Sequence, residues 1–403
     1  MDPTTGDATA QWARHGLTSL CGEPSGTGDA SRAGVLVEAH RVLAHVRPGA
    51  TVGDAAVLLA GRAALSGRSR AGSVSVGGAS RLLPARDGHV AITLSRDDDV
   101  DLVPAFLRRA VERADSWVAL TDAARVMSPA EWVDRGAELG LPVAALGETA
   151  PGAPVVSRRG SRRSAGERPL LVADLSSLWA GPLCTRLLAD AGATVVKVES
   201  PARPDGARQG DVRFFDWMNH GKLSWAVDPT RSPDRVRQLL RCADVVVEAS
   251  RPRALRRLGL DSSSVPARPG QVWLRITGHG LAHPDRVAFG DDAAVAGGLV
   301  VGTPRHTMFC ADAVADPLTG LEAARAVTQS LARGGGEVID VALSTVAARY
   351  AALGTVDTGA RIDRPDPPSA PPFTPSAARL GADGDRVERL LASIASTGYG
   401  HGT

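Results

Sequence analysis

The chain has 403 residues, enough for two or three domains around a large core, and 46 basic against 44 acidic residues leave a formal charge of only +2. That balance, broken only by the basic run 158–168 (RRGSRRSAGER), argues against nucleic acid as a partner, which needs a concentrated phosphate-neutralising face. The start (MDPTTGDATAQWARHG) has neither a basic end nor an apolar stretch, and no apolar run of about 18 residues occurs, so a cytoplasmic protein without a membrane span is expected.

In chain order, residues 1–65 are rich in Ala and Gly and predict helices at 35–46 and 52–65, with no pattern that suggests chemistry. A Gly- and Ser-rich loop follows at 68–80 (RSRAGSVSVGGAS), and 82–94 (LLPARDGHVAITL) reads as a hairpin turning at Asp87-Gly88. Residues 128–148 predict a helix capped by Ser128, with Pro129 at its first position, running into a short strand. Residues 149–168, rich in Pro, Gly, Ser and Arg, read as a linker.

The segment 169–200 (PLLVADLSSLWAGPLCTRLLADAGATVVKVES) then gives strand, small-residue turn, helix and strand. Two apolar strands joined through a helix are expected to lie parallel in a covered sheet, the opening βαβ unit of a Rossmann-like α/β domain. No G-x-G-x-x-G follows the first strand, which weakens a plain NAD-binding reading. Further strands are expected at 245–248, 272–277 and 337–343, and helices at 233–242 and 317–332. A proline-rich stretch at 361–375 precedes a last helix at 383–395. Cys21, Cys184, Cys242 and Cys310 are far apart and read as reduced core thiols. No metal site is expected: His220, His279 and His283 lie in loops of the large domain and read as solvated, and no H-x-H pair occurs.

Four ordered blocks carry a resemblance: LLVADLSSLWAGPLCTRLLADAGATVVKVES, FFDWMNHGKLSWAVD, ADVVVEASRPRALRRLGL and VWLRITGHG. Together they resemble the large domain of the family III CoA-transferases, the formyl-CoA and carnitine CoA-transferase group. The 82–94 hairpin and the P-A-E-W-V…G-L-P-V segment resemble that family's small domain, which usually follows the large one and here precedes it. The resemblance implies a small α+β region at 1–148, the linker 149–168, and a large CoA-binding α/β domain at 169–352. A crossing segment at 353–376 and a C-terminal helix at 377–403, returning to the large domain, complete this division.

The resemblance also implies a site. Asp316, in CADAVADPLTGLEAARAV, matches the aspartate of the family's D-x-x-x-G motif. There it is the nucleophile that forms an acyl-aspartyl anhydride and then an aspartyl-CoA thioester. A helix N-terminus favours such an anion by a few tenths to about 1 kcal/mol, although an Asp before Pro is equally an ordinary cap. Asp312 is the nearest rival. Asp291, in F-G-D-D, stands where racemases of the same fold carry a His in G-H-D, and reads as an acceptor-orienting acid or as a helix cap.

The implied CoA contacts are Trp179 and Ala180 at the first turn, Lys197 and Ser200 after the second strand, Lys222 in NHGKLS, and Ser250 and Arg257 in EASRPRALRRL. Ser200 replaces an arginine that some members carry, for which Arg203 can substitute; Arg251, Arg253, Arg256 and Arg257 also read as a solvated helix face. Trp179 is read as an acyl-pocket wall or a buried structural residue, and Gly77-Gly78 as a lid or a flexible loop. Lys197 and Lys222 are the chain's only lysines. The expected activity is CoA transfer from an acyl-CoA to a carboxylic acid, by a homodimer with no permanently bound cofactor. An α-methylacyl-CoA racemase and a non-catalytic acyl-CoA-binding subunit are the alternatives.

Overall fold

The computed structural model of the protein describes residues 3–46, 54–163, 169–356 and 365–396; parts of the expected linker, crossing segment and C-terminal region lie outside them. Twelve strands occur among the described residues. The small sheet holds β1 (Ser80–Ala85), β2 (Gly88–Thr93) and β3 (Val143–Ala145). The large sheet holds β4 (Val155–Arg158), β5 (Leu171–Leu175), β6 (Thr194–Glu199), β7 (Leu223–Ala226), β8 (Val245–Glu248), β9 (Val272–Thr277) and β12 (Glu337–Ala342). A separate hairpin pairs β10 (Val300–Thr303) with β11 (His306–Phe309).

The large sheet runs β4-β12-β9-β8-β5-β6-β7, all parallel except β4. Its central strands are apolar on both faces because helices cover both. Val172, Val247, Leu274 and Ile339 face one core, which the helices Ala180–Asp190 and Ala315–Ala332 close. Ala173, Val246 and Trp273 face the other, closed by Pro233–Cys242 and the last helix, Gly384–Ser396. The expected βαβ unit is present, with Leu171 opposite Thr194.

Two parts of the expected division are corrected. Residues 155–158, read as linker, are an edge strand antiparallel to β12, with Val156 opposite Ile339. All four side chains are exposed, so the strand has no apolar pattern to reveal it; it exists because the backbone edge of β12 needs partners. Residues 3–46 and 54–66, expected to share a unit with the small sheet, instead pack on the large domain. Val35, Leu36, Ala39, Val42 and Val46 form one helical face, buried with Trp12, Leu17 and Leu59 in the core of the Ala315–Ala332 helix.

The small body is therefore confined to about residues 80–146, around Phe106, Leu120 and Trp132. Its hairpin turns at Arg86-Asp87, one residue before the expected place, with Ala85 paired to Gly88. The helix Pro129–Leu139 starts as its sequence requires. Ser128 Oγ accepts from the Glu131 N–H at 3.2 Å while the Glu131 carboxylate accepts from the Ser128 N–H at 2.9 Å.

Residues 365–379 run without regular structure across the same chain: the Pro367 carbonyl abuts Gly16, Pro371 abuts Gly61, and the Ala377 N–H donates to Asp216 at 2.8 Å. All four cysteines are free and buried. No described helix is long and apolar enough to cross a membrane.

Candidate active site

The helices Ala180–Asp190 and Ala315–Ala332 cross where neither carries bulk. A Cβ on Gly320 would lie 2.8 Å from the Ala180 carbonyl oxygen and 2.9 Å from Leu183 Cβ. Gly320 follows Asp316 by about one turn, so the glycine of D-x-x-x-G lets the aspartate's helix seat against the Trp179-Ala180 turn. Asp316 is the second residue of its helix, with Val314 at the cap position, so it does not cap as a residue preceding Pro was expected to. Its Oδ2 accepts from the Gly290 N–H at 3.1 Å. Only glycine permits this approach, because a Cβ on Gly290 would lie 2.2 Å from the Ala313 carbonyl oxygen and 2.6 Å from Asp316 Oδ2.

Asp291, next in the chain, accepts from the Ala313 N–H and from Ser80 Oγ, each at 3.0 Å. The capping role considered for Asp291 falls instead to Asp292, whose carboxylate accepts from the Phe289 N–H at 3.0 Å and from Thr93 Oγ1 at 2.8 Å. Ser80 and Thr93 sit opposite each other on β1 and β2, so the small hairpin holds both acids. Asp312 is aimed by strain: Ala311 and Ala313 on either side have φ of 54° and 44°, which non-glycine residues adopt only when their surroundings impose it.

Arg62 completes the cluster, and the residue-level reading of the N-terminal segment missed it. Its Nε donates to Asp312 Oδ2 at 2.8 Å and its Nη2 to Asp312 Oδ1. The guanidinium also lies 4.9 Å from the Trp179 ring centroid. One signal was available, since Arg62 is the lone charged residue in the apolar helix Ala55–Ser66 (AAVLLAGRAALS). Gly77 sits over this arginine; a Cβ there would be 3.4 Å from Arg62 Nη2.

Asp291, Asp292 and Asp312 are all buried, whereas Asp316 keeps part of its surface open. Burial pushes Asp316 up to about 7; Arg62 and the Gly290 N–H pull it down, and Asp291 and Asp312 push it further up. Burial likewise raises Asp291, with Asp312 adding to it, and carries Asp292 to about 8. Desolvation therefore outweighs the helix N-terminus that was expected to hold Asp316 as an anion. Burial works against the charge on Arg62 too, but Asp312, helped by Asp291 and Asp316, holds its proton more firmly than usual.

The two lysines are not open cations. Lys222 is buried, and its Nζ reaches Asp174 Oδ2 at 3.0 Å, Thr185 Oγ1 at 2.8 Å, Asn219 Oδ1 at 3.0 Å and the Pro182 carbonyl at 2.9 Å. Lys197, also buried, pairs with Asp205 at 2.8 Å and donates to the Ser176 carbonyl at 3.0 Å. Burial pulls Lys222 down to about 8. For Lys197 burial also opposes the charge, but Asp174 and Asp205 outweigh it, and the lysines in turn hold Asp174 well below the usual carboxylate range. Both ammonium groups brace residues 176–182, the turn that carries Trp179.

The other implied CoA contacts sit at the C-terminal ends of parallel strands, where open α/β sheets bind ligands. Ser200 follows β6 and bridges to Arg203, and Ser250 follows β8. Arg257 is exposed at the end of the helix Pro252–Arg257 and makes no ion pair among the described residues. In contrast, Arg253 pairs with Asp285 at 2.7 Å. His279 was expected to be solvated, yet it is buried with no partner for its Nε2 among the described residues, and burial pushes it down to about 3. Among the described residues no group of three His, Cys, Asp or Glu could hold a metal.

A doubly wound sheet with acids gathered where two helices start, beside a glycine-containing turn, defines an α/β protein with a carboxylate site. The family model of CoA-transferase family III matches residues 169–379, just over half of the chain, and the chain belongs to that family. It is 31% identical over 192 residues to a succinyl-CoA–D-citramalate CoA-transferase from Chloroflexus aurantiacus, covering 43% of this chain and 48% of that protein. It is 33% identical over 201 residues to a succinate–glutarate CoA-transferase from Agrobacterium fabrum, covering 43% and 50%. A solved structure of a hypothetical protein from Mycobacterium tuberculosis aligns at 31% identity over 48% of this chain and 58% of that one, with a TM-score of 0.43. The chain spans about half the length of the curated relatives it matches.

Proposed function

We propose that the protein moves CoA from an acyl-CoA to a carboxylic acid, with Asp316 as the nucleophile. The observation that carries this is the selective opening of Asp316: of the four gathered aspartates it alone keeps an open surface, beside the Trp179-Ala180 turn. In its ionised form Asp316 attacks the thioester carbon, the C–S bond breaks, and CoA leaves as the thiolate while an acyl-aspartyl anhydride forms. The thiolate then attacks the aspartyl carbonyl, which releases the first acid as its carboxylate and leaves an aspartyl-CoA thioester. The second carboxylate repeats both steps in reverse, taking CoA and freeing Asp316, with no net proton change.

On this reading Trp179, Ala180, Ser200, Ser250 and Arg257 face CoA, while Lys197 and Lys222 act indirectly by holding the turn. Asp291 positions the loop around Asp316 through the Ala313 N–H. The protein works as a cytoplasmic homodimer on acyl-CoA and carboxylic acid substrates, without a permanently bound cofactor. Incubation with a panel of acyl-CoAs, followed by mass analysis of peptides containing Asp316, tests the assignment. An adduct on Asp316 that is absent from Asp316→Asn is the expected result, and full transfer by that variant overturns it.

One observation favours a second reading. Burial raises Asp316 to about 7 and Asp291 in the same direction, and two carboxyls gathered at the Gly290 turn can give and take a proton at a substrate carbon. Exchange of the α-hydrogen of a 2-methylacyl-CoA in heavy water, without transfer to a free acid, would establish racemisation instead.

A further inference from the structure

Two thiols that the proposed transfer does not use meet at the connection into the Asp316 helix. Cys21 follows the short turn Leu17–Leu20, Cys310 directly follows β11, and both are buried in the same core. The Cys21 thiol is hydrogen-bonded to that of Cys310, and its Sγ also accepts from the Ala311 N–H at 3.2 Å. Cys184 and Cys242, by contrast, belong to helices on opposite faces of the large sheet.

The stretch after Cys310 is the one on which the site depends. Ala311 and Ala313 hold φ of 54° and 44°, Asp312 between them pairs with Arg62, and the Ala313 N–H donates to Asp291 at 3.0 Å. Such backbone persists only while its surroundings impose it, and the bond from Ala311 to Cys21 is one of the constraints. Cys21 is itself tied down, because its carbonyl accepts from the Asp29 N–H at 3.1 Å and the Asp29 carboxylate accepts from the Gly302 N–H at 3.1 Å. The hydrogen bond to Cys310, and then burial, push the Cys21 thiol well up, which slows its oxidation at neutral pH. The rim over the pair is light: the exposed contact between Glu23 and His306 at 2.6 Å contributes little, so local opening admits a small oxidant.

We propose that Cys21 and Cys310 form a reversible disulfide in the presence of hydrogen peroxide, and that this bond displaces the Ala311–Ala313 turn and silences Asp316. One thiolate attacks a peroxide oxygen, the O–O bond breaks, and the departing hydroxide takes up a proton as water, which leaves a sulfenic acid. The second sulfur then attacks that sulfur, the S–S bond forms, and the displaced hydroxide leaves as a second water. Two electrons pass from the sulfurs to the peroxide, and the two thiol protons end in water. The loss of activity rests on the CoA-transferase reading; the disulfide and the displaced turn do not.

The test treats the whole protein with hydrogen peroxide, blocks the remaining thiols and maps the peptides by mass. A linked pair containing Cys21 and Cys310 should form, about tenfold faster at pH 8 than at pH 7, while Cys184 and Cys242 stay free. Amide exchange in 311–316 should change about tenfold on linkage, adduct formation at Asp316 should fall about tenfold or more, and dithiothreitol should restore both, which separates this effect from oxidation of the four methionines. Cys21→Ser and Cys310→Ser should each remove the dithiothreitol-reversible change. Absence of the linked peptide, equal linkage of the other cysteines, or linkage that leaves the exchange of 311–316 unchanged overturns the proposal. If the disulfide forms and the exchange changes but the reduced protein transfers nothing, the switch stands and the transferase reading fails.

Discussion

As the proposed nucleophile, Asp316 needs two opposed things at once: to be buried enough to be shielded by its neighbours, and ionised enough to attack. Burial sets its titration at about 7 and Arg62 keeps it from rising further. Only the deprotonated form is a nucleophile, so adduct formation with an acyl-CoA should rise about tenfold between pH 6 and pH 8 and then level off; a flat profile there would contradict this account. Arg62→Met removes the cation and leaves Asp312 buried and unpaired. The rising limb should move above pH 7, and stability in urea should drop by about 3 kcal/mol, with Arg62→Lys intermediate in both. Asp316 was legible in the sequence because a motif surrounds it. Arg62 was not, since its meaning depends on a partner 250 residues away and on a neighbouring indole.

Two elements depend on contacts that a short stretch of sequence does not display. At the crossing of the Ala180–Asp190 and Ala315–Ala332 helices, Gly320→Val would drive side-chain carbon into the Ala180 carbonyl and Leu183. A loss of several kcal/mol, about 3 or more, is expected in chemical denaturation, together with loss of the Asp316 adduct as the helix shifts. The turn between β5 and that first helix rests on Asp174 and Lys222, both buried. Lys222→Met should destabilise by about 3–5 kcal/mol because it strands a buried carboxylate, and adding Asp174→Asn should recover part of that loss. If the double variant is less stable than the single one, the pair acts by packing and not by charge. The local rules did read the helix Pro129–Leu139 to the residue, because Ser128, Pro129 and Glu131 settle its start among themselves.

At the scale of the whole molecule, the N-terminal helices belong to the large domain's core while the small body at 80–146 reaches Asp291 and Asp292 through Ser80 and Thr93. Both halves of the chain thus meet at Asp316. We expect a homodimer, and sedimentation at low micromolar concentration should show a species of twice the 41.6 kDa chain mass; a single species at 41.6 kDa would exclude it.

Sequence alone determined what is local: the strands 245–248 and 272–277, the helix 233–242, the βαβ unit at 169–200, the family blocks and the D-x-x-x-G aspartate. Each of these follows from periodicity, capping or a contiguous motif. Tertiary structure alone decided the rest. The exposed strand 155–158 pairs only because β12 leaves an edge, the helices within 3–46 and 54–66 join the large core because the Ala315–Ala332 helix offers an apolar face, and Lys197 and Lys222 turn inward to Asp205 and Asp174. The protonation of Asp316 belongs to the same class, because desolvation is a property of everything packed around a carboxyl and of nothing in its immediate sequence.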